Sequence, residues 1–241
     1  MSQHHTETRQ LITEEGPMDV IVSIPTGITD PKGGIVVVQE AFGLTGHIRR
    51  VCEAVADAGY LAVAPAFFHR HDEQLFGYDQ FDKVGPAMMT LTLEGIHADV
   101  DAGIAELERN RITRESMGIV GFCMGGSVAL ETAARLELGA AVSFYGGGIS
   151  QGRFGLEAGL EYGARLRTPW MGLYGDLDKG IPIDDVEQLR AVVADASVPT
   201  EVVRYSEADH GFHCDERASF HPASSSDAWA RTIAFFDQHI G

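Results

Sequence analysis

Residues 34–38, Gly-Ile-Val-Val-Val, limit the fold more than any other stretch of the chain. Successive side chains of a strand point to opposite faces of its sheet. Four consecutive branched apolar residues, Ile35 to Val38, therefore need cover on both faces. That is the signature of a strand inside a parallel sheet with helices above and below it. Other strand-like runs recur at 60–64, 117–120, 140–144, 170–174 and 200–205. Segments of helical periodicity fall between them. Residues 47–58 place Ile48, Val51, Val55 and Ala58 on one face and stop at Gly59, and residues 95–109 do the same with Ile96, Val100, Ile104 and Leu107. Further helices are expected at 127–138, 184–196 and 224–240. In the last of these Trp229, Ile233, Phe236 and Ile240 form a stripe suited to core packing. Two alternating runs, 8–12 and 18–24, flank Glu-Glu-Gly-Pro and read as an antiparallel hairpin. The expected fold class is α/β, with a mostly parallel central sheet of about eight strands flanked by helices.

With 241 residues, 44% of them hydrophobic, the chain can bury one large core. No internal repeat or long linker divides it, so residues 1–241 are expected to form a single domain. The least regular part is 67–93. It holds Pro86 and the cluster His69-Arg70-His71-Asp72-Glu73, and it reads as a partial cap over the strand ends. The net charge of −17 repels nucleic-acid phosphates and anionic lipid surfaces, so neither is an expected partner. No apolar stretch approaches the ~20 residues of a membrane span. The opening MSQHHTETRQ lacks the apolar core of a signal peptide. Three cysteines, Cys52, Cys123 and Cys214, give no disulfide framework. A cytoplasmic protein, monomeric or a small homo-oligomer, acting on a small molecule, is the expectation.

The run Met117 to Val120 enters Gly121-Phe122-Cys123-Met124-Gly125 and leaves as a helix. A strand that turns through G-x-C-x-G into a helix has the form of a nucleophile elbow. Gly121 and Gly125 are needed there because a Cβ would strike the neighbouring backbone. The helix N-terminus favours a thiolate and can bind an oxyanion, with the Met124 N–H as the expected donor. An elbow of this kind needs an acid and then a histidine later in the chain. After the 170–174 strand comes Gly-Asp176-Leu-Asp178-Lys-Gly-Ile-Pro, and after the 200–205 strand comes Ser-Glu-Ala-Asp-His210-Gly-Phe. His210 is suited to act as base and then acid, with Asp178 holding its other nitrogen. Asp176 is the competing carboxylate, read as a turn residue. His213 and Cys214 beside His210 suggest a metal set, but further ligands at credible spacing are missing, and no metal or other cofactor is expected.

Taken together, Q-E-A-F-G, G-F-C-M-G-G, Y-G-D-L-D-x-x-I-P and D-H-G-F resemble the dienelactone hydrolases, α/β-hydrolase enzymes with a cysteine nucleophile. The resemblance runs over about residues 5–240. It implies a catalytic triad of Cys123, Asp178 and His210. It implies that Glu40 contacts the resting nucleophile and that the backbone N–H groups of Ala41 and Met124 form the oxyanion hole. It places Tyr145 near the active site, and Phe42 beside Ala41 is grouped with the substrate-binding residues. The best-known members hold a substrate carboxylate with arginines, one of them four residues past the histidine. Here that position is Cys214, and Arg217 and Arg70 are the candidates to replace it. The implied activity is hydrolysis of a small lactone or ester, as in carboxymethylenebutenolidase. A thiol leaves more readily than a hydroxyl, so activated esters and lactones suit it better than peptides. Two other readings stand beside this one. One is a redox sensor using Cys123 with Cys214 as resolving thiol. The other is a binding module on an inactive hydrolase scaffold.

Overall fold

In the computed structural model, which describes residues 4–241, Ile35 to Val38 are completely buried. Residues 1–3, the start of the expected domain and of the stretch read for a leader, lie outside the described residues. In chain order the elements are β1 (His4–Thr13), β2 (Gly16–Pro25), β3 (Gly34–Val38), α1 (Gly46–Asp57), β4 (Leu61–Pro65), α2 (Phe81–Met88), α3 (Leu93–Arg109), β5 (Met117–Phe122), α4 (Met124–Arg135), β6 (Ala140–Phe144), α5 (Gly159–Gly163), β7 (Trp170–Gly175), α6 (Ile183–Val193), β8 (Thr200–Tyr205) and α7 (Pro222–His239).

The eight strands form one sheet in the order β1-β2-β4-β3-β5-β6-β7-β8. β1 and β2 are the expected hairpin, and β2 also runs antiparallel to β4. Every other pairing is parallel. Helix α1 packs on β2 and β4, α3 on β3 and β4, α4 on β5 and β6, and α7 on β6 and β7. The sheet is thus buried where the sequence is continuously apolar, and the α/β architecture is the expected one. Among the described residues, no helix is long and apolar enough to cross a membrane.

Two helices lie where none was expected. Helix α2 occupies the region read as irregular, because Gly85 and Pro86 interrupt its pattern. Helix α5 has five residues, two of them glycine, too short for periodicity to register. Helix α4 starts at Met124 rather than 127. Gly125 and Gly126 are poor helix formers by propensity, and tertiary packing overrides it.

A buried relay braces that helix. Trp170 Nε1 on β7 donates to Ser143 Oγ on β6 at 2.9 Å, and Ser143 Oγ donates to the Gly126 carbonyl at 2.7 Å. The first turn of α4 is thereby tied to two neighbouring strands.

Candidate active site

Parallel strands present their carboxyl ends along one edge of the sheet, where open α/β proteins bind ligands. Glu40 and Ala41 follow β3, Cys123 follows β5, Asp178 follows β7 and His210 follows β8. Cys123 sits at φ 56° and ψ −115°, a left-handed conformation that costs a non-glycine residue ~1–3 kcal/mol. Its neighbours explain how the chain makes that turn. A Cβ on Gly121 would lie 1.8 Å from the Gly125 carbonyl oxygen. One on Gly125 would lie 2.5 Å and 2.6 Å from the carbonyl oxygens of Val38 and Gln39. The corner also has backbone support, since Cys123 N donates to Phe144 O and Gly126 N donates to Cys123 O, each at 3.0 Å.

His210 Nδ1 donates to Asp178 Oδ2 at 2.6 Å, and Gly180 N donates to Asp178 Oδ1 at 2.8 Å. Both oxygens of this nearly buried carboxylate are engaged, so its orientation and that of the imidazole are set. Nε2 is the ring nitrogen left for Cys123. Burial opposes a charge on His210, but the Cys123 charge and hydrogen bonds to Asp178 and Cys123 outweigh it and raise its pKa to about 10. Asp176, the competing acid, instead accepts from Arg204 Nε and Nη2 at 2.7 Å and 2.8 Å.

Glu40 is completely buried. Arg217 Nη1 donates to its Oε1 at 3.3 Å, while its Oε2 and the buried Tyr145 Oη have no hydrogen-bond partner. Burial pushes the Tyr145 phenol well up, and the Glu40 charge adds to that. The Tyr145 ring is 5.1 Å from the His210 ring, centre to centre. Gly211 makes room for Arg217, because a Cβ there would lie 2.3 Å from Arg217 Nη1.

Cys123, Asp178, His210, Ala41 and Met124 share a cleft of about 690 Å³. Its other walls are Phe81, Val84, Met88 and Met89 at α2, with Arg153, Phe154 and Ile181. The four residues grouped as substrate-binding are not among those lining it. Arg70 is turned away and corrects the expectation. Its guanidinium makes two 2.8 Å bonds to the buried Asp99 of α3 and a 2.6 Å bond to Glu15, because a buried carboxylate needs a cation more than the cleft does. Phe42 is buried behind the lining, against Tyr78 and Phe81. Tyr145 is closed off entirely, and Arg217 is held by Glu40 with its guanidinium 5.7 Å from the Phe42 ring centre. Sequence reasoning missed Phe81, Met88, Arg153 and Phe154. A signal existed for the α2 residues in the apolar positions around Gly85-Pro86. Nothing in the spacing marks Arg153.

The metal set weighed from sequence is not assembled. His210 faces Asp178, and His213 Nδ1 is 2.8 Å from Ser225 Oγ. A different trio, His47, Cys214 and Asp215, has ligand atoms within 4.8 Å of one another, but Arg50 Nη2 already donates to Asp215 at 2.6 Å. Cys214 is also poorly suited to act as a resolving thiol. It is fully buried, and burial together with the Glu40 charge pushes it up to about 11.

Comparison with known proteins gives a consistent picture. A family model described as the dienelactone hydrolase family matches residues 18–240. A protein of Synechocystis sp., provisionally named a carboxymethylenebutenolidase, is 33% identical over 86% of this chain and 86% of its own length. One from Yersinia pestis with the same provisional name is 31% identical over 90% of this chain and 82% of its own. A crystal structure from Klebsiella pneumoniae, provisionally titled a dienelactone hydrolase, matches with a TM-score of 0.89 at 31% identity and covers 98% of this chain and 99% of that one.

Proposed function

The chain belongs to the dienelactone hydrolase family, and from that premise we propose that it hydrolyses a small lactone or ester through a cysteinyl acyl-enzyme. The observation that carries this reading is His210, hydrogen-bonded to Asp178 through Nδ1 and set against Cys123 in one cleft. The Cys123 thiolate attacks the carbonyl carbon. The N–H groups of Ala41 and Met124 receive the oxyanion, each donor worth about 3 kcal/mol in such sites. Collapse of the tetrahedral intermediate breaks the acyl C–O bond, and the His210 imidazolium protonates the departing oxygen. Neutral His210 then takes a proton from water as its oxygen attacks the thioester. The acid leaves and the thiolate returns. Asp178 keeps the imidazole in one tautomer throughout.

Glu40 and Arg217 stand behind this set as its charge-balancing pair; Glu40 Oε1 accepts from Arg217 and Oε2 has no hydrogen-bond partner, so the contact with the resting nucleophile that the resemblance implies is not made. Residues 67–93 act as the partial cap, with α2 forming one wall of the cleft.

The test uses p-nitrophenyl acetate and a panel of lactones with wild type, Cys123→Ala and His210→Ala. Turnover is expected to fall at least a thousandfold in both variants. A quenched wild-type reaction is expected to show the acyl mass on Cys123. Wild-type rates in both variants would remove the triad assignment.

A further inference from the structure

We propose that Arg153, on the loop between β6 and α5, is an anion-binding, specificity-determining residue, and that the cleft takes an elongated ester with an apolar body and one anionic end. This rests on the hydrolase reading above and adds the substrate class to it.

The chain has 35 acidic residues against 18 Lys and Arg. Free cations are therefore scarce. Among the described residues, only Arg111, Arg153 and Lys179 have a cationic side chain with neither an ion pair nor a hydrogen bond. Of these three, Arg153 alone lines the cleft that holds Cys123 and His210. The carboxylates around it are committed elsewhere. Glu157, which shares the adjoining hollow, is bound by Arg165 at 2.7 Å, and Asp178 faces His210.

The position is also shaped by its neighbours. The stem of Arg153 runs along Gly148, where a Cβ would lie 3.5 Å from Arg153 Cγ, and Nη1 lies 3.7 Å from where a Gly147 Cβ would be. The next residue, Phe154, lines the cleft from a left-handed backbone at φ 55°, an unusual conformation for a bulky residue. Opposite stand Phe81, Val84, Met88 and Met89, and Phe81 and Met89 are 63% and 82% exposed. Methionines adapt to irregular apolar ligands. A cleft of about 690 Å³ also exceeds what a small lactone ring fills and lies in the range of drug-sized ligands. A guanidinium offers paired donors that match a carboxylate. An ester carbon at Cys123, an apolar body along α2 and an anion at Arg153 would occupy all three surfaces.

The experiment compares anionic with neutral esters in wild type, Arg153→Gln and Arg153→Lys. One series is the mono-p-nitrophenyl esters of C4 to C8 dicarboxylic acids against the p-nitrophenyl esters of the matching monocarboxylic acids. The other is carboxyphenyl acetate against phenyl acetate, which puts the charge on the leaving group. In at least one series, wild type is expected to favour the anionic ester in kcat/KM, with an optimum chain length in the dicarboxylate set. Arg153→Gln is expected to lower that anionic-to-neutral ratio about tenfold, as for loss of a charged hydrogen bond, and Arg153→Lys to lower it less. A ratio within twofold of wild type in Arg153→Gln for both series overturns the proposal while leaving the hydrolase reading intact. Failure of wild type to cleave any of these esters overturns both.

Discussion

The Arg217 guanidinium and the Glu40 carboxylate meet at 3.3 Å across 177 residues of sequence, and Glu40 has no exposed surface. Breaking a buried ion pair from one side leaves a charge without compensation, which typically costs ~3–5 kcal/mol. Arg217→Met should therefore destabilise the fold by about 3 kcal/mol in urea unfolding. Adding Glu40→Gln should restore part of that loss, because it removes the stranded charge. Additive losses in the double variant would show that the two residues act independently.

The charge on His210 depends on Cys123. Burial lowers its pKa, but Cys123 and Asp178 together hold it near 10. The imidazolium's contribution to stability is thus complete below the unfolded value of 6.5 and is lost as pH rises toward 10. In Cys123→Ala the thiolate attraction is gone, and the His210 titration midpoint should drop. Imidazole NMR shifts followed from pH 5 to 11 report it. An unmoved midpoint would mean that the thiol carries no charge next to the ring.

The three thiols should separate by reactivity. Cys52 and Cys214 are fully buried, and burial pushes both thiols up, Cys214 to about 11. Cys123 is part-exposed in the cleft. Alkylation of the native protein at pH 7 should modify one cysteine rapidly and the other two only after unfolding. Peptide mapping should place the fast label on Cys123. A second fast label on Cys214 would revive the redox reading.

The Trp170–Ser143–Gly126 relay predicts a stability loss from a buried serine that does not itself line the cleft. Ser143→Ala strands a buried indole N–H and leaves the Gly126 carbonyl without the Ser143 hydroxyl. The expected loss is about 2 kcal/mol, with an unchanged denaturant m-value. Equal stability of variant and wild type would mean that other partners take over both groups.

The sheet was legible because burial on two faces leaves a mark on every residue of a strand. Ile35 to Val38 could be placed without knowing anything else about the chain. The corner at Cys123 was legible for a similar reason, since close backbone approach tolerates only glycine at 121 and 125. Asp178 and His210 were found by chain order, each just past a strand. Arg70 was misread because its partner Asp99 lies 29 residues on, and nothing local shows that a carboxylate on α3 is buried. Arg153 was missed for the opposite reason. What distinguishes it is the lack of a partner, and that is a property of the assembled surface.

Gly211 has a consequence for how this chain can change over time. It adjoins His210, adopts φ 78°, and leaves the space that Arg217 Nη1 occupies. Even alanine, the smallest substitution, would press on the guanidinium that neutralises Glu40. In a saturation library selected for turnover, position 211 should therefore favour glycine, although its side chain is a single hydrogen with no chemistry. The genetic footprint of the cleft would then extend to a residue that does not line it.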